Sequence, residues 1–182
     1  MNEIIALDDG ILDNEELDVG SVNHSLTQAK LTHLLSSNET FTVMVELSLD
    51  ASQIDLSRFN LKAKDELLVP DVCVYTGPPP EPDEDVDDIL TVSQMPDLAI
   101  EIISPSQSIS FLVRKIKAYF ALGVKSCWLV VPPMAQVSVY QQPNQHKTFD
   151  LNHTEIVDEV LDIRLPIDKV FKKRSKNIQK NT

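Results

Sequence analysis

The sequence predicts an α/β chain, bordering on α+β, built on a mixed sheet with few helices. Three observations carry that expectation. Five short segments, 40–49, 70–76, 97–103, 126–132 and 136–141, are rich in Val, Ile, Leu or Thr and read as strands. Only 22–36 and 108–122 carry apolar residues at helical spacing. Both element types alternate along one chain of 182 residues, a length that suits a single domain with tails.

In chain order, residues 1–20 read as an acidic arm, 21–170 as the domain and 171–182 as a basic tail. Helix 22–36 sets Leu26, Ala29, Leu31, Leu34 and Leu35 at helical spacing, with Asn23 or Ser25 available as its cap. Residues 40–49, TFTVMVELSL, read as one strand, while 51–69 has no clear period. Pro70 keeps the residue before it extended, so the chain enters the strand 70–76 already extended. GPPPEPDEDVDD at 77–88 is a Pro- and acid-rich loop that repels itself and has little to pack. A second Pro-Asp pair enters the strand 97–103, and Ser104-Pro105-Ser106 ends it. Gly123 is a natural stop for the helix 108–122. Strands 126–132 and 136–141, joined by Pro132-Pro133-Met134-Ala135, form an expected hairpin. Short strand-like pieces around LDIRLPI occupy 143–170.

Asp and Glu number 28 against 16 Lys and Arg, a net charge of −12. Such a surface repels phosphate at long range and argues against a general, sliding DNA binder. Residues 3–18 and 81–88 hold 13 of the 28 acids, however, so the rest of the chain is nearly neutral and permits a local positive site. Aromatic residues make up only 5%, too few for a base-stacking platform. Cys73 and Cys127 sit among apolar neighbours with no CxxC spacing, so buried thiols are expected rather than zinc. No apolar run is long enough to span a membrane, and the acidic start lacks a signal peptide's basic region, so a cytoplasmic location is expected. His24, His33, His146 and His153 show no metal spacing and read as surface or helix-face residues.

Three residues stand out chemically. On strand 97–103, Asp97, Ala99, Glu101 and Ile103 share one face. Glu101 therefore either lies on a wet edge strand or is buried, and a buried carboxylate needs a partner, a proton or a metal. Asp71 shares a face with Cys73 and Tyr75; it is either an ordinary strand-start aspartate or a ligand. On helix 108–122, with Leu112 at 0°, Ile116 falls near ~40°, Tyr119 near ~340° and Lys115 near ~300°. Lys115 thus lies within the apolar stripe, where it either snorkels outward or meets an anion from the preceding strands. Two acids and a lysine together suit metal-assisted phosphodiester hydrolysis. In that reading Asp71 and Glu101 hold a hard cation such as Mg²⁺, and Lys115 faces the phosphate or its attacking water.

The run PDLAIEIISPSQS, then RKIKAYFALGVKSCWLVVPPMAQVSVY, with the upstream VELSLD and VPDVCVY, resembles the putative restriction endonuclease family of the Uma type. The resemblance covers residues 22–142 and extends toward 170. It implies the PD-(D/E)xK nuclease-like superfamily, with a restriction-endonuclease-like mixed sheet flanked by helices. It also implies Mg²⁺- or Mn²⁺-dependent cleavage of DNA. Asp71 matches the motif aspartate and Glu101 the motif acid, and the backbone carbonyl of Ile102 is implied as a further metal ligand. Ile103 stands where the superfamily has its lysine; the family supplies a lysine from the next helix, matching Lys115. Asp97 is implied as an additional or outer ligand, with Glu46 and Gln28 as weaker candidates. The segment SQSISFLVRK lacks the acid many relatives carry, and the 77–88 loop is unusually acidic for a DNA-facing edge.

A homodimer is the expected assembly. Two rival readings stand beside the nuclease: an inactive binding or dimerisation module that keeps the fold, and an acidic protein that docks a basic partner. A nuclease requires Asp71, Glu101 and Lys115 to converge beside an open position. An inactive module would close Lys115 onto Glu101 in a dry pocket.

Overall fold

The computed structural model describes residues 21–62, 66–82 and 88–171. The acidic arm, the centre of the acidic loop and nearly all of the basic tail lie outside the described residues. Helix α1 (Val22–Ser36) begins at Ser21, whose extended backbone lets its hydroxyl accept from the His24 N–H at 3.2 Å. Neither Asn23 nor Ser25 is the cap. Strands β1 (Thr42–Val45), β4 (Val72–Tyr75), β5 (Leu98–Ile102), β6 (Ser126–Val131), β7 (Gln136–Gln142) and β8 (Gln145–Phe149) form one sheet in that spatial order. Between β1 and β4 the chain makes β2 (Leu49–Asp50) and β3 (Leu67–Leu68), a separate two-stranded pair. Helix α2 (Ile109–Ala121) joins β5 to β6, the one parallel pair in the sheet. Strands β9 (Glu155–Asp158) and β10 (Ile163–Pro166) form a hairpin that leads into the single turn α3 (Ile167–Val170).

The predicted strand 40–49 is two strands. Glu46 has φ 53°, a left-handed conformation that non-glycine residues adopt rarely and that breaks the extended run after β1. The stretch 51–69, which has no clear period in sequence, contains a short 3₁₀ turn at Leu56–Phe59 and then β3. The hairpin across Pro132–Met134 forms as expected, with Ala135 taking the left-handed position that closes it. At the end of α2, Gly123 takes φ 98°, which a side chain would resist.

Both faces of the sheet are covered. Val72, Val74, Leu98, Ile100, Ile102, Trp128, Val130 and Val139 pack beneath α1, α3 and the β9–β10 hairpin. Ala99, Cys127 and Leu129 face α2 through Leu112, Ile116 and Tyr119. Burying a side chain such as Leu112 or Ile116 contributes about 1.5–3 kcal/mol each. Strand β5 is therefore central and buried along its whole length, which removes the wet-edge reading of Glu101. Register places Ala99 between Cys73 and Cys127. The two free, buried thiols are thus two strands, about 9–10 Å, apart and beyond disulfide reach. No helix among the described residues is long and apolar enough to cross a membrane.

A buried polar knot fixes the hairpin to the sheet. Asp158 is fully buried; its Oδ2 accepts from Ser126 Oγ at 2.6 Å and Trp128 Nε1 at 2.8 Å. Its Oδ1 accepts from the backbone N–H groups of Val160 and Leu161. Asp158→Asn replaces one of these acceptors by an amide donor and leaves donors facing it. The expected loss is about 1–3 kcal/mol, read from urea denaturation midpoints.

Candidate active site

Strand register builds the site. Val72 pairs with Ile100 in antiparallel sense, so Asp71, one residue before β4, stands opposite Glu101 near the end of β5. Both belong to the face that α2 covers. Glu101 is 2% exposed and Lys115 7% exposed. Lys115 Nζ lies 2.9 Å from the Glu101 carboxylate and also donates to the Val69 carbonyl at 3.0 Å. The Tyr119 hydroxyl donates to Glu101 Oε1 at 2.6 Å. Lys115 and Tyr119 are four residues apart, one helical turn, so one face of α2 delivers both groups to one carboxylate.

Asp71 is held from two sides. Its Oδ2 accepts the backbone N–H of Ile102, and its Oδ1 lies 3.1 Å from His24 Nε2. In an extended strand the N–H and C=O of one residue leave on the same edge, so the Ile102 carbonyl leaves toward Asp71 as well. The Asp71 carbonyl accepts from Gln28 Nε2 at 2.9 Å and from the Glu46 N–H at 3.3 Å. Gln28 also reaches Glu46 Oε1 at 3.4 Å. The left-handed turn at Glu46 thus keeps its backbone on Asp71 while its side chain meets α1.

A cleft of about 370 Å³ opens beside Asp71 and Lys115, lined also by His24, Gln28, Glu46 and Phe111 among others, with Glu101 and Tyr119 buried behind Lys115 rather than in its wall. Burial is the largest influence on Glu101 and pushes its carboxyl up to about 7. Lys115 pulls it down, Asp71 pushes it up, and the Tyr119 hydroxyl pulls it down again. The Tyr119 phenol is raised well above its ordinary value by burial and by Glu101. Among the described residues no three His, Cys, Asp or Glu side chains are grouped to hold an ion by themselves. The oxygen donors at hand are the Asp71 and Glu101 carboxylates, the Glu46 carboxylate on the cleft wall, the Gln28 amide oxygen and the backbone. Two carboxylates at adjacent strand ends, with Asp71 raising the cost of ionising Glu101, fit a hard divalent cation.

Residues 8–168 match the model of the family Uma2, described as a putative restriction endonuclease. The chain belongs to the Uma2 family. Among solved structures it is similar to a putative nuclease belonging to DUF820 from Anabaena variabilis ATCC 29413. The two are 22% identical, the match covers 83% of this chain and 81% of that one, and the TM-score is 0.65. At that identity the likeness establishes the fold, a restriction-endonuclease-like mixed sheet with few helices. No curated protein matches.

Within this Uma2 chain, Asp71, Glu101 and Lys115 are brought together, and Gln28 and Glu46 reach the same cleft. Asp97 is not. It stands at the opposite end of β5 from Glu101, four residues or about 13 Å away along the strand. Its Oδ2 accepts from the Thr76 N–H and hydroxyl, both at 2.7 Å, and its Oδ1 meets Lys125 at 2.7 Å. Partial burial works against its charge, but Lys125 and Thr76 prevail and hold its carboxyl below the usual range. Asp97 thus joins the start of β5 to the chain before β6. Two residues at the site were not expected there. His24, read from sequence as a surface or helix-face residue, is buried against Asp71, and Tyr119, read only as part of the apolar stripe, holds Glu101.

Proposed function

We propose that this Uma2 protein is a divalent-metal-dependent endonuclease that hydrolyses DNA phosphodiester bonds at the cleft over Asp71, Glu101 and Lys115. One observation carries the reading: two carboxylates at adjacent strand ends share a buried site with a lysine that also lines an open cleft. Asp71, Glu101 and the Ile102 carbonyl would hold Mg²⁺ or Mn²⁺. When bound, such a cation polarises the phosphate and lowers the pKa of a bound water. Asp71 is oriented for this by Ile102 and His24, and Glu101 by Tyr119. Lys115, already positioned by the Val69 carbonyl, supplies positive charge where charge builds on the phosphate oxygens. His24 and Phe111 line the cleft beside them.

The rival reading, an inactive module that keeps the fold, is favoured by the closed 2.9 Å pair between Lys115 and Glu101. The openness of the cleft at Lys115 and Asp71 favours the nuclease. Incubation with a genome-scale mixture of duplex DNA and Mn²⁺ or Mg²⁺, followed by sequencing of new ends, separates them. The nuclease reading predicts new ends that require metal and vanish with chelator. Their absence from both metal reactions, with folded protein, supports the inactive module.

A further inference from the structure

We propose that the outer face of α2 is a track for single-stranded DNA, leading from the cleft to a second pocket that holds one unpaired base. The inference rests on reading the cleft as the place where DNA is cut, and it names the form of DNA that lies beside it. Phe111, Arg114, Lys117 and Phe120 recur at every third residue of α2. Positions three apart form one slanting row on a helix, so these four side chains follow one another across its surface. Nine residues rise about 13–14 Å along the axis and turn about halfway round the helix. The row therefore leaves the flank of α2 at the cleft, which Phe111 lines, and ends on the opposite flank at Phe120. Within it the Arg114 guanidinium lies 5.8 Å from the centre of the Phe111 ring.

Phe120 lines a pocket of about 440 Å³ together with Phe59, Lys117, Lys125, Gln141 and Asn144. Among the described residues no carboxylate lines it, and none pairs with Lys117. Lys125 meets Asp97 at 2.7 Å, yet its side chain is 61% exposed. In a chain of net charge −12, two lysines beside two phenylalanine rings form a local exception that suits an anion with flat faces. A single strand is such a ligand: its phosphates pair with cations and its bases stack on aromatic rings. The amides of Gln141 and Asn144 can both donate to and accept from a base edge. An acidic peptide would use the lysines but neither the rings nor the amides, so the lining favours a nucleotide. A duplex keeps its bases stacked inside and cannot place one in the pocket, so the strand held here is unpaired.

Fluorescence anisotropy of the full chain with a labelled oligothymidylate of about a dozen nucleotides, in chelator so that nothing is cut, tests the track. The expected result is binding about fivefold or more tighter than to a duplex of the same length, weakening as salt rises. Lys117→Gln should weaken it about three- to tenfold and make the log–log salt slope shallower by about 0.7. Phe59→Ala should weaken it about tenfold at an unchanged slope. A folded protein that does not bind the single strand, binds the duplex as well, or binds equally in both variants overturns the proposal. Binding of labelled oligoglutamate in place of the oligothymidylate overturns it too and assigns the pocket to an acidic peptide. Should Phe59→Ala fail to fold, Lys117→Gln, on the outer face of the helix, gives the answer. Metal-dependent cleavage without this binding removes the track alone, whereas this binding without cleavage removes the nuclease reading and leaves the track as a DNA-binding surface.

Discussion

Lys115→Met is expected to lower DNA cleavage about 10²–10³-fold and to cost about 3–5 kcal/mol of stability at pH 8. The first effect follows from removing the positive charge nearest the proposed phosphate position. The second follows from leaving Glu101, 2% exposed, with Tyr119 and the negative Asp71 but no cation. The loss should depend on pH in a direction opposite to that of most carboxylates. Burial first, and Asp71 next among the groups opposing ionisation, hold the folded Glu101 at about 7, against an ordinary value of 4.5. Below 4.5 both folded and unfolded chains keep the proton. Between 4.5 and about 7 only the folded chain keeps it, so the contribution of Glu101 to stability falls as pH rises. In Lys115→Met the strongest influence pulling the carboxyl down is gone, and the window extends upward. At pH 5 Glu101 is neutral in both proteins. The cost there is mainly the lost bond to the Val69 carbonyl, about 1–2 kcal/mol. Urea denaturation at pH 5 and pH 8 measures both values. An equal loss at the two would contradict the assignment of Glu101 as the titrating group.

The second large effect concerns Glu101 itself. Glu101→Gln keeps the size of the side chain and an oxygen that can accept from Tyr119, but it removes the charge. Stability should lose its decline between pH 4.5 and 7, because no group at this position then titrates. Affinity for Mn²⁺ should fall by about 100-fold or more, since a neutral amide is a far poorer ligand for a hard cation than a carboxylate. The two readouts are independent: the first reports the buried carboxyl, the second the proposed ion. Retained pH dependence would place the titrating group elsewhere, whatever the metal result.

The parts of the site that sequence revealed are those whose signal is local. A charged residue out of phase with its element is visible in a period of two or of 3.6. Glu101 between Ile100 and Ile102, and Lys115 within the stripe of Leu112, Ile116 and Tyr119, are both such residues. Their pairing then follows once α2 is laid against β5. His24 carries no local signal. Its partner Asp71 is 47 residues away in the chain, and only the packing of α1 near the start of β4 brings them together. Glu46 shows the converse. TFTVMVELSL reads as one uninterrupted strand, yet the left-handed turn at Glu46 ends β1 where its N–H donates to the Asp71 carbonyl and its carboxylate meets Gln28. Asp97 misleads because its Pro-Asp setting repeats that of Asp71. In antiparallel strands, however, the start of β5 lies at the opposite end of the pair from the start of β4. The Asp158 knot was equally invisible, since its donors Ser126 and Trp128 lie some thirty residues earlier.

Whether Glu101 holds a cation is decided by calorimetric titration of Mn²⁺ into the folded full chain and into Glu101→Gln, which needs no knowledge of the DNA sequence cut. Binding by the wild-type protein should drop out of the measurable range in Glu101→Gln. Wild-type protein that is folded and takes up no Mn²⁺, or a variant that binds as well as the wild type, would contradict a cation site built on Glu101.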